Sequence, residues 1–396
     1  MCALRLLTIG HSYVVALNRR LAHEIAHESR GRWEVTVVSP DEMRGDLRPT
    51  PFERFDNEPC NVEVIPVHWP ERIHLMLYGS RLRNILAQNW DLVHCWEEPY
   101  IASGAQIVFH CPKEVPLVFY TFQNLTKRYP PPFSFLEKYC LHRSAGWIAA
   151  GRTVEQVLLG RKVGYERRPY SVLPLGVDVQ KFRRTPEQRA RVLQQLGWQD
   201  NVPVVGFLGR FVPEKGLPLL TRVLDRIQSP CRVLLIGSGP EEANLRTWAA
   251  THGDRVKLVT NARHDEVPTY LNACDILCAP SQTAAHWREQ FGRMLIEAFA
   301  TEVAVIASDS GEIPYVVGDA GIIVGEKDDA GWESAIADLL ENSERRRELA
   351  VRGLERVHST YAWPVVARRH IEFFEQIVAE KGVSCAAEEP AHVMPQ

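Results

Sequence analysis

Two spacings of apolar residues alternate along the chain. In the first half, short runs of β-type residues (LRLLTIG, WEVTVVS, NVEVIPV, DLVHCW, VPLVFYTF and GWIAAG) are separated by segments with a helical period, such as LNRRLAHEIAHE and SRLRNILAQN. Strands that are apolar throughout, with helices between them, predict a parallel sheet covered on both faces. Near Ser171 the pattern breaks at SVLPLGVDVQKF, whose Pro and Gly mark a connection. It then restarts with PVVGFLG, CRVLLIG, RVKLVT, DILCAPS, VAVIAS and GIIV. The expected fold is therefore α/β: two doubly wound, Rossmann-like domains, residues 1–175 and 176–362. Ligands of such sheets sit beyond the carboxyl ends of the strands, so the two domains are expected to face each other across a cleft. The segment WPVVARRHIEFFEQIVAEKG predicts one long amphipathic helix over 363–381, and the tail 382–396 has no period and is expected to be disordered.

Length agrees with this division, because 396 residues exceed what a single hydrophobic core usually serves. With 45% hydrophobic and 24% charged residues and a net charge of -3, the composition is that of a globular protein in which no acidic or basic tail dominates, and no nucleic-acid partner is expected. Nine cysteines, odd in number and scattered through apolar runs, read as small hydrophobes in a reducing compartment, and Cys274 and Cys278 as core residues rather than zinc ligands. The first residues lack the pattern of an export leader and no run reaches about 18 apolar residues. The expectation is a cytoplasmic protein whose furthest reach is peripheral contact with the inner face of a membrane.

The stretch HEIAH at 23–27 matches the H-E-x-x-H pattern of zinc peptidases. However, Leu17, Leu21 and Ile25 make a core-facing stripe on that helix, and Arg30 and Trp33 stand where the extended motif needs Gly and His. A solvated His/Glu face is expected there, and no metal.

The chemistry concentrates in the second half. After its first strand comes GRFVPEKG, with Arg210 at the strand end and Lys215 five residues on, flanked by Gly209 and Gly216: two cations placed to meet a diphosphate from one side. The turn LLIGSGPEE lacks the third Gly of a dinucleotide fingerprint, so Gly237 and Gly239 read as a tight turn. In REQFGRMLIEAFA, the half MLIEAFA is apolar on every side except for Glu297, which predicts a buried helix holding a carboxylate. Such a carboxylate needs hydrogen-bond donors. Gly292 marks the passage from loop to helix, which leaves the amides around Arg293 to Leu295 free for an anion. Glu289 lies in the loop and Glu297 in the second turn, so the two carboxylates bracket a ligand. An ion pair between Arg293 and Glu297 would run cation-first, the poorer order along a helix. A ribose diol, with two hydroxyl donors, suits Glu297 better.

These residues resemble the retaining glycosyltransferases of family 4, which have the GT-B fold of two facing Rossmann-like domains. GRFVPEKG is similar to the G-R-x4-K-G loop of that family, Glu289 to Glu297 to its E-x7-E motif, and SDSGEIPYVV follows in the same order. The resemblance implies that Arg210 and Lys215 neutralise the departing nucleotide diphosphate and that Glu289 holds hydroxyls of the donor sugar. It further implies that the backbone of Phe291, Gly292, Arg293, Met294 and Leu295 faces sugar and phosphate, that Glu297 binds the ribose, and that the last helix returns to the first domain. The first domain departs from the family pattern. After its first strand it has GHSY, with Gly10 and His11, in place of a Gly-rich loop. Where many members carry a His that handles the acceptor or the departing sugar, it has Gln123 and Asn124. These four residues are the expected acceptor side, and for Gln123 and Asn124 the structural alternative is plain turn formation before TKRYPPPF.

The expected activity is transfer of a hexosyl unit from a nucleotide-diphosphate sugar to a glycan or lipid-linked acceptor, with retention. No cofactor or metal is expected, because the cations serve the leaving group and no D-x-D triplet is present. The stretches VHWPERIHLMLY and FQNLTKRYPPPF offer a first-domain surface for that acceptor. A nucleotide-sugar epimerase or hydrolase of the same fold turns over donor without acceptor, and a non-catalytic binding protein turns over none. Front-face and double-displacement routes both remain open, as do the base and the sugar.

Overall fold

The computed structural model describes residues 3–44, 49–55, 57–260 and 262–382; the tail expected from 382 onward lies, Gly382 apart, outside the described residues. The first domain holds a seven-stranded parallel sheet, in the spatial order Tyr170–Val172, Gly146–Ala149, Leu117–Thr121, Leu92–Cys95, Leu4–Ile9, Trp33–Pro40 and Asn61–Ile65. Six of these strands follow the apolar runs. The seventh, Tyr170–Val172, is a three-residue edge strand, too short to show a period. The second domain holds a six-stranded parallel sheet, ordered Val256–Val259, Arg232–Ile236, Val204–Leu208, Ile276–Ala279, Ala304–Ser308 and Ile322–Val324. Helices cover both sheets, so the strand interiors are fully buried; Leu6, Leu7, Val205 and Leu277 are examples.

In each sheet the order of strands reverses once. The reversal falls between Leu4–Ile9 and Leu92–Cys95 in the first, and between Val204–Leu208 and Ile276–Ala279 in the second. Such a reversal opens a crevice at the carboxyl ends, because the connections on either side run to opposite faces. The segments that leave these four strands are GHSY, WEEPY, GRFVPEKG and the loop that ends at Gly292.

Two crossings join the domains side by side. Val177 N donates to Tyr361 O at 2.8 Å, and Trp363 N donates to Val177 O at 3.2 Å. The C-terminal helix Trp363–Glu380 then packs on the first-domain helix Arg20–Glu28, burying Phe373, Phe374 and Ile377. The Phe374 ring lies 6.3 Å from that of Trp33, and Arg368 pairs with Glu28 at 2.7 Å. No helix among the described residues is long and apolar enough to cross a membrane. The seven cysteines among the described residues are unpaired, and all but Cys60 are buried, Cys274 and Cys278 in the core.

The helix Arg20–Glu28 corrects one expectation. Leu21 and Ile25 face the core, but the opposite side is not a solvated face, since His23 and Glu24 are buried there and only His27 stands in water. The loop through Glu53 and Glu58 folds over them. Glu58 bonds to His23 Nε2 and accepts from Arg19 Nε at 2.9 Å, while the fully buried Arg19 donates to Tyr13 O and Glu53 O, both at 2.6 Å. Ligand atoms of His23, Glu58 and Cys60 lie within 4.8 Å of one another, yet the Arg19 guanidinium already supplies the positive charge that the carboxylate requires.

Polar, directional bonds also cross between the domains. Glu312 of the second domain accepts from the backbone amides of Arg152 and Thr153, both at 2.7 Å, and from Thr153 Oγ1 at 2.6 Å. Its carboxylate thereby occupies the amino end of the first-domain helix Arg152–Leu159, which has no cap of its own. Replacing Glu312 with Ala leaves buried amides unpaired and is expected to cost about 2 kcal/mol. In scanning calorimetry this appears as a drop of roughly 4–8 °C in Tm. An unchanged Tm would show that this contact does not hold the domains together.

Candidate active site

The two loops of the second-domain crevice rest on each other. Residues 209–211 lean on the turn after Arg232–Ile236: Gly209 N donates to Ile236 O at 3.0 Å, Phe211 N to Ser238 O at 2.8 Å, and Glu241 N to Phe211 O at 3.0 Å. Gly237 and Gly239 thus serve a tight turn that supports the loop. Gly209 has its amide engaged, so that atom is not available to a ligand. The chain then makes a short turn over Pro213–Lys215 and reverses at Gly216, whose φ of +73° and contact with the Pro280 carbonyl leave no place for a side chain. Gln282 N donates to Glu214 O at 2.8 Å, which ties the first loop to the second.

Lys215 therefore points at the loop before Gly292. Its Nζ lies 2.5 Å from Glu289 Oε2, an oxygen that also accepts from Ser281 Oγ at 2.9 Å, and 5.3 Å from the centre of the Trp287 ring. Arg210 behaves differently. Its side chain is exposed and has no partner among the described residues, so the structure brings one cation to Glu289 and leaves the other at the rim. The sequence reading placed both cations on a diphosphate and Glu289 on the sugar; here Lys215 and Glu289 neutralise each other.

Gly292, with φ of +84°, turns the chain into the helix Arg293–Ala300, which has no side-chain cap. The amides of Arg293 and Met294 have no backbone acceptor. That of Leu295 donates to Gly292 O at 2.9 Å, which corrects the expectation of a free amide there. The first turn closes tightly, and one orphan donor is used up. The side chains of Phe291, Met294 and Leu295 are buried in the core, so these residues can offer a ligand only backbone. A Cβ on Gly292 would lie 3.7 Å from Glu289 Cγ, which sets the Lys215–Glu289 pair beside the helix start.

Glu297 is buried and its carboxylate has neither a hydrogen bond nor an ion pair among the described residues. Arg293 does not pair with it; instead Arg293 reaches across the cleft and donates to Asn18 Oδ1 at 3.1 Å. Burial pushes the Glu297 carboxyl up to about 7, against the pull of Arg293 and Lys181.

On the first-domain side a cavity of about 370 Å³ opens between the domains, lined by His11, Glu97, Glu98 and Gln123 together with Gln290 and Arg293 of the second. Glu97 and Glu98, from WEEPY, were not singled out in the sequence, although two adjacent acids at the end of a core strand were the signal. Glu98 accepts from Thr121 Oγ1 and from Phe122 N at 2.7 Å, and burial raises its carboxyl to about 7. Gln123 donates to Leu125 O at 2.6 Å. Asn124 is buried and donates to Glu289 O at 2.9 Å, a bond between domains rather than a local turn. Gly10 packs beneath Trp96, donates to Val38 O at 3.3 Å and does not line the cavity.

Comparison with known proteins accounts for both halves. Residues 188–356 match the family described as Glycosyl transferases group 1, and residues 19–181 the family described as Glycosyltransferase Family 4. The chain belongs to the family 4 glycosyltransferases. Among curated relatives, it is 30% identical over 204 residues to a GDP-mannose-dependent monoacylated alpha-(1-6)-phosphatidylinositol monomannoside mannosyltransferase of Corynebacterium glutamicum, covering 50% of this chain and 54% of that one. The chain thus spans about half the length of the curated relatives it matches. Two solved structures share the fold: Anabaena HepE in complex with UDP and glucose, with a TM-score of 0.71 at 18% identity over 94% of this chain and 100% of that one, and the sucrose-phosphate synthase of Thermosynechococcus elongatus, with 0.72 at 19% over 95% and 100%.

The unpartnered Glu297 has a cost that depends on pH. Its carboxyl is near 4.5 in the unfolded chain and about 7 in the folded one, so the folded state prefers the protonated form. That preference is fully present below about pH 4.5 and is lost as pH rises through about 7. Glu297→Gln, which cannot ionise, escapes the loss. Its unfolding free energy is expected to match that of the wild type near pH 4.5 and to exceed it near pH 8 by about 3 kcal/mol, read from denaturant titrations at the two pH values. Glu98 titrates in both proteins and cancels. A difference that stays flat between the two pH values would contradict the reading of Glu297.

Proposed function

We propose that this protein transfers a hexosyl unit from a nucleotide-diphosphate sugar to a hydroxyl of a glycan or lipid-linked acceptor, with retention at the anomeric carbon and without a metal ion. The observation that carries the proposal is the buried carboxylate of Glu297, which lacks a partner and stands inside the helix whose first two amides are also free. A nucleoside diphosphate meets both needs: the ribose diol donates to Glu297, and the pyrophosphate accepts from the amides of Arg293 and Met294. Lys215 then turns one of its three N–H donors from Glu289 to the β-phosphate, and Arg210 closes on it from the rim. As the glycosidic bond breaks, negative charge gathers on that phosphate, where a fixed ammonium and a helix terminus stabilise it more than they stabilise the bound donor. Glu289, freed in part, accepts from hydroxyls of the departing sugar, and the acceptor enters through the cavity lined by Glu98 and Gln123.

A lipid-linked acceptor is supported by the surface around that cavity. Ile73 lines it and is 39% exposed, and the loop that carries Ile73 also exposes Trp69 at 53%, an apolar and aromatic pairing that suits the head-group region of a bilayer. We infer that the protein works against a membrane surface through this face. The relatives named for GDP-mannose and phosphatidylinositol mannosides support the same class of donor and acceptor.

The test is a panel of nucleotide sugars, with nucleoside diphosphate release measured in the presence of soluble glycans, of phosphatidylinositol glycolipids in vesicles, or of neither. Release that requires an acceptor and persists in excess chelator is the expected result. Loss of activity in chelator would contradict the metal-independent account. Donor turnover without any acceptor would mark an epimerase or hydrolase, and no turnover with any donor a binding protein.

A further inference from the structure

One imidazole at the cleft is held too specifically to be a loop residue in water. His11 follows the first strand, and its backbone amide donates to Glu97 Oε1 at 2.8 Å while its ring Nδ1 lies 2.5 Å from Glu97 Oε2. The Glu97 side chain is fully buried and is itself fixed by the Tyr78 hydroxyl, which donates to Oε1 at 2.7 Å. Tyr78 in turn exchanges two backbone bonds with the Gln106 amide, at 2.8 and 2.7 Å. A carboxylate only accepts, so Nδ1 carries the proton in that bond and Nε2 is the ring nitrogen left for a ligand. The His11 side chain is 24% exposed and lines the cavity beside Gln123, in the stretch Gln123–Asn124 where many members of the family carry a histidine. From the opposite wall Gln290 and Arg293, at the start of the donor helix, face the same space.

We propose that His11 Nε2, oriented by Glu97 and Tyr78, hydrogen-bonds a hydroxyl of the sugar being transferred and so takes the part of the imidazole that the stretch Gln123–Asn124 replaces. This rests on the transferase reading above. His11 would be a catalytic residue, because it touches the reacting sugar; Glu97 and Tyr78 are positioning residues. A hydroxyl can accept from or donate to that nitrogen, so the contact does not depend on the charge of the ring. The carboxylate beside it nonetheless favours the imidazolium: burial pulls the ring down, and Glu97, joined by Glu98, outweighs burial and holds it above its ordinary value.

Two replacements separate this role from a structural one. Asn at position 11 places an amide nitrogen where Nδ1 stands and keeps the bond to Glu97, whereas Gln reaches the place of Nε2 and gives that bond up. Donor turnover in the presence of acceptor is expected to fall about 100-fold in kcat for His11→Asn and His11→Ala, with the acceptor KM unchanged. His11→Gln should retain roughly a tenth of wild-type kcat or more, and Tyr78→Phe should lose about tenfold in the same parameter. Should His11→Ala fail to fold, the Asn and Gln variants decide between the roles on their own. An active His11→Asn, or a change confined to acceptor KM, would overturn the assignment while leaving the transferase reading intact. A wild type that releases no nucleoside diphosphate from any donor would overturn both.

Discussion

The site depends on how one loop residue, Glu289, is held between the domains. Its side chain binds Lys215 and Ser281 within the second domain. Its carbonyl accepts from Asn124 of the first domain and from the amide of Glu312, whose carboxylate in turn caps a first-domain helix. The backbone that carries Glu289 is therefore fixed from three directions before any ligand arrives. Removing one partner from a buried ion pair costs several kcal/mol. A ligand that draws Lys215 toward a phosphate must therefore offer Glu289 new donors, which on the proposed function would be hydroxyls of the sugar attached to that phosphate. On that proposal, recognition of diphosphate and of sugar would be coupled through one carboxylate.

The other acids at the cleft sort by what donates to them. Glu97 has His11 and Tyr78, Glu98 has Thr121 and the Phe122 amide, and Glu312 has the helix Arg152–Leu159. Each of these is satisfied inside the protein and works as a fixed piece of the frame. Glu297 is the exception: no donor among the described residues reaches its carboxylate, and burial holds the carboxyl up to about 7. Natural proteins keep such a group where function needs it. Arg293 and Lys181 pull on the Glu297 carboxylate from nearby without bonding to it, and on the proposed function a ribose would supply the two missing donors.

The second domain was largely legible in the sequence because its chemistry is local. GRFVPEKG and REQFGRMLIEAFA carry their cations, glycines and carboxylates within short stretches, and apolar periodicity places both at strand ends. What the pattern does not contain is long-range partnership. Glu312 and Thr153 are 159 residues apart, Asn124 and Glu289 165, so neither bond leaves a trace in any window of the chain. The same limit explains why His23 was read as solvated: its partner Glu58 arrives from a loop 35 residues away. Arg210 shows a different limit. Spacing places it at the strand end but not the direction of a long side chain that has no partner to fix it.

The most direct measurement is a crystal structure of the protein with a nucleoside diphosphate bound. The account predicts the β-phosphate against the amides of Arg293 and Met294 and within reach of Lys215 Nζ, with both ribose hydroxyls on the Glu297 carboxylate. A nucleotide seated elsewhere in the cleft, with Glu297 still unpartnered and Lys215 still bound only to Glu289, would contradict it.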